Sequence, residues 1–163
     1  MMGRRRAFQR CSRLCHSYPI RSGFCWQERL APKLNGVRDR IVDLGVRDDI
    51  HLVYRACDAL VHPTLEDTYG MVVHEAMSHG RPVVVSASSY CGIAADLTDG
   101  QTACILQNPD DSTELTQAIE KVLQPANYER LSENALKWAE QRRWPEMALQ
   151  LEDIYQQSVQ QRA

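Results

Sequence analysis

Residues 58–86, DALVHPTLEDTYGMVVHEAMSHGRPVVVS, decide which fold this chain can adopt. The apolar run Ala59-Leu60-Val61 is typical of a buried parallel strand, and the proline that follows shortly after it ends the strand because proline removes a ladder donor. Apolar residues then recur at helical spacing from Tyr69 as far as Gly80, which stands where a left-handed C-terminal cap is expected. Residues 82–85, Pro-Val-Val-Val, read as the next strand. The stretch predicts a strand–helix–strand unit with an acidic mouth at the carboxyl end of its first strand, the usual ligand side of such a sheet.

The rest of the chain alternates in a similar way. Further strands are predicted at 40–45 and 103–106, short helices at 28–34, 51–57 and 93–97, and longer helices from 109, at 127–141 and at 145–160. In the last helix Met147, Leu151, Ile154 and Tyr155 recur at helical spacing and predict a buried stripe. Together these elements predict an α/β fold: a Rossmann-like parallel sheet of about four strands with flanking helices and a helical C-terminus.

The composition of the 163 residues is that of an ordinary globular protein, 44% hydrophobic and 25% charged, with no apolar run long enough to span a membrane. The net charge of −2 hides an asymmetry, because residues 1–40 carry ten basic and two acidic side chains whereas the remainder carries nine basic and nineteen acidic ones. The basic character therefore belongs to the N-terminal segment and not to the fold.

The segment 1–25 is interpreted as basic, disordered or foreign to the domain, and 26–163 as the domain proper. Residues 1–23 hold six arginines, no acid and no sustained period, a composition typical of solvated tails. Organellar transit peptides and basic arms that bind nucleic acid or anionic lipid share this composition, so a basic-arm binding protein is one alternative function.

Six cysteines are present, but their spacing does not suggest a disulfide framework. Those at 57, 91 and 104 lie near predicted buried elements, where free cysteine behaves as a small hydrophobe. A reduced, cytoplasmic location is therefore expected. Cys11, Cys15 and His16 could be imagined as zinc ligands, yet no second ligand pair follows at a usable spacing, and no metal site is predicted.

The start of the central helix is the best candidate for a ligand site. Asp67, Met71 and Glu75 would share one helix face, and Glu75 would lean back toward the loop that contains Asp67. The backbone N–H groups of Tyr69, Gly70 and Met71 would be free to bind an anion at the positive end of the helix dipole. A phosphate at these amides and polyol hydroxyls at the carboxylates would satisfy every group without a metal ion.

A blander interpretation of the same residues stays open at this point: Asp67 and Thr68 would be ordinary helix caps and Glu75 an exposed carboxylate. The motifs of dinucleotide-binding dehydrogenases and of P-loop ATPases are absent from the sequence. His62, His74 and His79 lack the spacing of a metal-binding helix and are expected to be surface or packing residues.

The same stretch resembles the donor-site signature of retaining glycosyltransferases of the GT-B fold, family 4, in the manner of lipopolysaccharide-core glucosyltransferases. That signature is an acid, seven residues, a glutamate, and then A-M-x-x-G-x-P-V-V. Here it falls as Asp67, seven residues, Glu75-Ala76-Met77, Gly80 and Pro82-Val83-Val84. The resemblance implies that this chain is part of a C-terminal donor domain.

The resemblance also implies roles for individual residues. Glu75 would bind the ribose of a nucleotide-sugar donor such as UDP-glucose, and Asp67, in a place usually held by glutamate, would contact the transferred sugar. Because aspartate is one methylene shorter, Glu66 could share that contact. Residues Thr68, Tyr69, Gly70 and Met71 would offer amides to the diphosphate, and no metal or other cofactor is implied.

Parts of the family's pattern are not found in the sequence. The strands and the basic glycine loop that open the donor domain have no counterpart in residues 1–23, and the acceptor-binding N-terminal domain is missing. The resemblance therefore predicts a truncated glycosyltransferase that transfers a hexosyl group in the biosynthesis of lipopolysaccharide or another glycan. Its acceptor would be a glycan or a lipid-linked sugar bound through the missing domain, with possible peripheral membrane association and no nucleic acid partner. A donor-binding subunit or fragment without activity of its own is the other alternative.

Overall fold

The computed structural model describes Val42 and residues 44–160, and the chain divides into two compact units after Ala56. In the first unit the described residues form helix α1 (Ile50–Ala56), close to the predicted helix at 51–57. The guanidinium of Arg47 donates two hydrogen bonds of 2.8 and 2.7 Å to the carboxylate of Asp49, just before that helix. The predicted helix at 28–34 and half of the predicted strand at 40–45 lie outside the described residues. The described positions of that strand, 42, 44 and 45, belong to no strand.

The second unit is built on a parallel sheet, as the sequence predicts. Among the described residues the sheet has three strands in the order β1 (Leu60–His62), β2 (Val83–Ser86) and β3 (Cys104–Leu106). Both strand pairs are parallel, with Leu60 opposite Val83 in one pair and Val84 opposite Cys104 in the other. All four residues of β2 are buried, which fits a central strand covered on both faces.

Helices connect the strands and follow the last one. They are α2 (Met71–Ser78), a 3-10 helix (Gly92–Asp96), α3 (Ser112–Val122), α4 (Pro125–Glu140) and α5 (Trp144–Gln160). The N-terminus of α3 is capped by Asp111, whose carboxylate accepts hydrogen bonds from the backbone N–H groups of Thr113 and Glu114. The predicted Rossmann-like arrangement of a parallel sheet with flanking helices and a helical C-terminus is confirmed.

Helix α2 ends as the sequence predicts. Gly80 adopts a left-handed conformation, with φ of 65°, which glycine tolerates best. The N–H of Arg81 donates to the carbonyl of Ala76 at 3.0 Å, and the N–H of Gly80 donates to the carbonyl of Met77 at 2.9 Å. This pair of bonds is a Schellman motif, and it turns the chain directly into β2.

The core of the second unit lies between the sheet and helices α3 and α4. Val84 and Leu106 from the sheet pack with Val122 of α3 and Leu131 of α4, and all four side chains are buried. The hydroxyl of Ser132 donates a 2.6 Å hydrogen bond to the carbonyl of Gly80, which joins α4 to the turn that follows α2. This contact fixes the helix that carries Glu75 against the rest of the unit.

Helix α5 contradicts one prediction. Its apolar residues recur at helical spacing, yet none of its side chains is buried, so the predicted buried stripe is wrong. Leu151, Ile154 and Tyr155 are 50%, 57% and 63% exposed. The period of apolar residues predicts the face of a helix but not what covers that face, and no described element covers this one. Among the described helices, none combines the length and the apolar character that crossing a membrane requires.

Candidate functional site

The candidate site lies at the carboxyl edge of the sheet, where the loops after β1 and β2 are joined. The N–H of Asp67 donates a hydrogen bond to the carbonyl of Tyr90 at 2.8 Å, and the N–H of Gly92 donates one to the carbonyl of Asp67 at 3.2 Å. A third bond of 2.7 Å runs from the N–H of Ile93 to the carbonyl of Tyr69. We call the two joined segments, 67–71 and 90–93, the junction. These backbone hydrogen bonds hold the two segments of the junction together beside the start of α2.

Two glycines allow the junction to close. A Cβ atom on Gly92 would lie 2.2 Å from the carbonyl oxygen of Thr68, which is closer than real Cβ contacts come. Gly70 has φ of 94°, and a Cβ atom there would lie 2.7 Å from the sulfur of Cys91. Both positions therefore need glycine, Gly92 for close backbone approach and Gly70 for its conformation as well.

Asp67 is the most strongly positioned of the predicted site residues. Its Oδ2 lies 3.0 Å from Nε2 of His62, and its Oδ1 accepts a 3.1 Å hydrogen bond from the N–H of Tyr69. Desolvation alone would raise the pKa of the Asp67 carboxyl, but the hydrogen bonds from His62 and Tyr69 outweigh it and hold the pKa below its ordinary value. The carboxylate is therefore ionised and oriented at neutral pH.

The alternative interpretation of Asp67 and Thr68 as helix caps is wrong. Helix α2 begins at Met71, its N-cap is Gly70, and no side chain caps it. The left-handed turn at Gly70 separates the carboxylate from the helix, so Asp67 bonds instead to the N–H two residues along, as aspartate does in local turns. The N–H of Tyr69 is consequently engaged and not free for an anion, which also corrects the prediction for that residue.

Glu75 lies on α2 one turn after Met71 and is half-buried. The predicted face shared by Asp67, Met71 and Glu75 holds only for the last two, because Asp67 precedes the helix. Glu66 and Thr68 are exposed in the loop that connects β1 to α2. That loop is held to the sheet by Ser86, whose hydroxyl donates a 2.7 Å hydrogen bond to the carbonyl of Thr64.

Two of the predicted residues line a separate cavity of about 270 Å³ beside the first turn of α2. Its lining is mostly apolar and comprises Tyr69, Met71, His74, Asp96, Arg142, Trp144 and Met147. His74 packs against the ring edge of Trp138 at a centroid distance of 5.8 Å, and the guanidinium of Arg142 lies 4.1 Å over that ring. Tyr69 and Met71 thus line this cavity, in addition to the backbone contacts predicted for them.

Sequence reasoning missed the grouping of His62, Asp67 and Cys91. The candidate ligand atoms of these residues all lie within 4.8 Å of one another. Cys91 is buried, and burial, reinforced by the nearby Asp67 carboxylate, raises the pKa of its thiol. The signal was available in the topology: His62 ends β1 and Cys91 follows β2, and neighbouring parallel strands end at the same edge.

Comparison with known proteins identifies the family. Residues 22–125 match the family model described as "Glycosyl transferases group 1". The chain is 32% identical over 141 residues to D-inositol 3-phosphate glycosyltransferase of Stackebrandtia nassauensis. The matched residues make up 85% of this chain and 31% of that protein. The chain is also 32% identical over 96 residues to lipopolysaccharide glucosyltransferase WaaG of Escherichia coli, covering 59% of this chain and 25% of that protein.

Solved structures agree with this assignment. A structure of WaaG, a glycosyltransferase involved in lipopolysaccharide biosynthesis, superposes with a TM-score of 0.61 over 69% of this chain and 30% of that one, at 32% identity. Anabaena HepE, solved in complex with UDP-glucose, shares the fold with a TM-score of 0.68 over 81% of this chain and 36% of that one, at 24% identity. The chain spans about a quarter to a third of the length of the curated relatives it matches. The predicted resemblance is confirmed: this chain belongs to the glycosyl transferases group 1 family.

Proposed function

We propose that this chain binds a nucleotide-sugar donor at the carboxyl edge of its sheet and supplies the donor side of a hexosyl transfer. One observation carries the proposal. In a chain of this family, Asp67 is held as an ionised carboxylate beside the N-terminus of α2, and Glu75 follows on the helix. The bound UDP-glucose in HepE, a protein of the same fold, supports the choice of ligand class.

The proposed roles follow the chemistry of each group. Glu75 accepts hydrogen bonds from the ribose hydroxyls. Asp67 accepts them from the transferred sugar, and Glu66, its neighbour in the chain, shares that contact. The backbone of Thr68, Gly70 and Met71, at the positive end of α2, faces the diphosphate, where negative charge grows as the sugar leaves. Donor binding of this kind needs no metal ion.

We further propose an acceptor and a compartment for the whole enzyme. A glycan or lipid-linked acceptor, as in lipopolysaccharide assembly, is consistent with the similarity to WaaG. Peripheral association with a membrane would bring such an acceptor close, and no nucleic acid is involved in the reaction. Cys57, Cys91 and Cys104 are free, which favours the reducing cytoplasm as the compartment.

Thermal unfolding of the full chain with UDP, UDP-glucose and other nucleotide sugars tests the proposal. A ligand at 100 times its Kd should stabilise the folded chain by about 2.7 kcal/mol. Glu75→Ala should abolish the rise in Tm for both UDP and UDP-glucose. Asp67→Asn should remove only the additional rise that the sugar gives over UDP. Glu129→Ala, on the exposed surface of α4, is the matched control and should bind like the parent. A cooperatively melting sample whose Tm no nucleotide sugar changes would overturn the proposal.

A further inference from the structure

Three side chains with different donor atoms converge at the carboxyl edge of the sheet. Nε2 of His62 lies 3.0 Å from Oδ2 of Asp67, and the thiol of Cys91 completes a group whose ligand atoms all lie within 4.8 Å of one another. The His62 and Asp67 side chains are 24% and 30% exposed, whereas Cys91 is fully buried. The sulfur therefore lies on the buried side of the group, and the imidazole and the carboxylate lie on the side that solvent reaches.

This set of donors selects the kind of ion that could bind. An imidazole nitrogen, a carboxylate oxygen and a thiolate sulfur are the three ligand types of zinc sites, and three protein ligands leave a fourth tetrahedral position open. Mg²⁺ and Ca²⁺ prefer shells made of oxygen and gain nothing from the sulfur. Zinc bonds of about 2.0 Å to nitrogen and oxygen and about 2.3 Å to sulfur place tetrahedral ligand atoms roughly 3.3–3.5 Å apart. Ligand atoms that lie within 4.8 Å of one another would therefore have to approach by up to about 1.5 Å.

We propose that His62, Asp67 and Cys91 form a binding site for Zn²⁺, with the fourth position open to water. On binding, the Cys91 thiol loses its proton to solvent and the thiolate coordinates the ion. The neutral His62 ring coordinates through Nε2, and Asp67 coordinates through Oδ2.

The backbone already holds two of the ligands in place, as the surroundings of a metal site must. Asp67 is fixed by backbone hydrogen bonds to both Tyr90 and Gly92, and the N–H of Tyr69 occupies its Oδ1, which leaves Oδ2 facing His62. The sulfur of Cys91 lies directly under Gly70, where a Cβ atom would come within 2.7 Å of it. The absence of a side chain on Gly70 is what leaves room for the sulfur at this edge.

The site has a consequence for donor binding, which rests on the proposed function. Because Asp67 is the carboxylate that we assign to the transferred sugar, an ion on its Oδ2 and a sugar hydroxyl compete for the same group. Zn²⁺ should therefore weaken the binding of UDP-glucose more than that of UDP, whose proposed contacts are Glu75 and the backbone at the start of α2. Linkage requires that UDP-glucose weaken Zn²⁺ binding by the same factor. The ion is expected to inhibit donor binding and not to assist it.

Titration of the full chain with Co²⁺, followed by displacement with Zn²⁺, tests the site directly. Cobalt bound at this site should give the charge-transfer absorption of a thiolate ligand. Cys91→Ser should remove that absorption, and Cys91→Ser and His62→Gln should each lower the affinity for Zn²⁺ about tenfold or more, the scale on which disturbed metal sites lose affinity. Cys57→Ser, at an exposed cysteine of the same unit, is the matched control and should bind like the parent. Mg²⁺ should not displace the bound Co²⁺.

Further variants keep the test decisive. The combined variant Cys11→Ser, Cys15→Ser and Cys25→Ser examines the three cysteines outside the described residues. Loss of the thiolate absorption in that variant, or its retention in Cys91→Ser, would overturn the proposal. Because Cys91 is buried, His62→Gln serves as the second variant, and a folded His62→Gln that binds Zn²⁺ as tightly as the parent would also overturn it. The cobalt titration is carried out without nucleotide sugar, so a chain that binds Zn²⁺ but no donor would contradict the proposed function and leave the metal site standing.

Discussion

The junction and helix α5 are two regions in which the same kinds of sequence signal lead to opposite results. At the junction, polar and small residues that could have been a surface loop are locked by cross-loop hydrogen bonds and by two glycines that admit no side chain. On α5, a regular apolar stripe that predicts a packed face leaves every side chain unburied. The difference teaches that burial is decided by the neighbour a segment meets and not by the pattern of the segment itself.

The largest effect that tests this contrast concerns two tryptophans six residues apart. Trp138 of α4 is 7% exposed and its ring N–H donates a 3.1 Å hydrogen bond to the carbonyl of Asp96, whereas Trp144 at the start of α5 is 83% exposed. Trp138→Ala should lower the free energy of unfolding by about 3–5 kcal/mol because it empties a packed site. Trp144→Ala should change it by no more than about 0.5 kcal/mol.

Urea unfolding of both variants, with the m-value compared with that of the parent, gives the measurement. Equal losses at the two tryptophans would mean that Trp144 is covered in solution, and the contrast between the regions would fail.

A smaller effect is expected at the junction itself. Gly92→Ala places a methyl group 2.2 Å from the carbonyl oxygen of Thr68, so the two loops must separate. Overpacking of this kind should cost about 1–3 kcal/mol. Gly100→Ala is the matched control: its φ of 69° is unfavourable for alanine, but nothing lies within 4 Å of the added atom.

Thermal unfolding of the two glycine variants separates crowding from backbone strain. Gly92→Ala should also weaken the binding of UDP-glucose and of Zn²⁺, because the bond from its N–H to the carbonyl of Asp67 would lengthen. Gly100→Ala should lose only the cost of the strained conformation, about 1 kcal/mol, and keep both ligands. A Gly92→Ala chain with parental stability would show that the junction can open freely.

Much of the fold follows from local signals that are complete within a few residues. The three strands lie within a residue or so of their predicted ends because apolar runs bounded by proline and glycine leave few choices. The end of α2 was predictable for the same reason, since Gly80 alone satisfies the left-handed turn that the Schellman motif needs. These elements require no knowledge of distant residues.

The site was only partly predictable because its geometry depends on contacts between segments. The spacing from Asp67 to Glu75 selected this loop and helix as the candidate site, yet the left-handed turn at Gly70 delays the helix start and removes Asp67 from its face. Cys91 joins the site from the next crossover, more than twenty residues away, and no local pattern indicates that meeting. Local chemistry predicted which groups could bind, and only the packing of two loops determined which of them meet.

The smallest effect is expected on α5, and a matched pair of leucines isolates it. Leu131 of α4 is 2% exposed and Leu151 of α5 is 50% exposed. Leu131→Ala should cost about 2–5 kcal/mol, whereas Leu151→Ala should cost no more than about 0.5 kcal/mol, because alanine keeps the helix and little apolar surface returns to water. Denaturant unfolding at two protein concentrations measures both. A loss of unfolding free energy at Leu151 that is close to the loss at Leu131, and that grows with protein concentration, would mean that a second copy of the chain covers this face. The apolar stripe of α5 would then be buried against that copy.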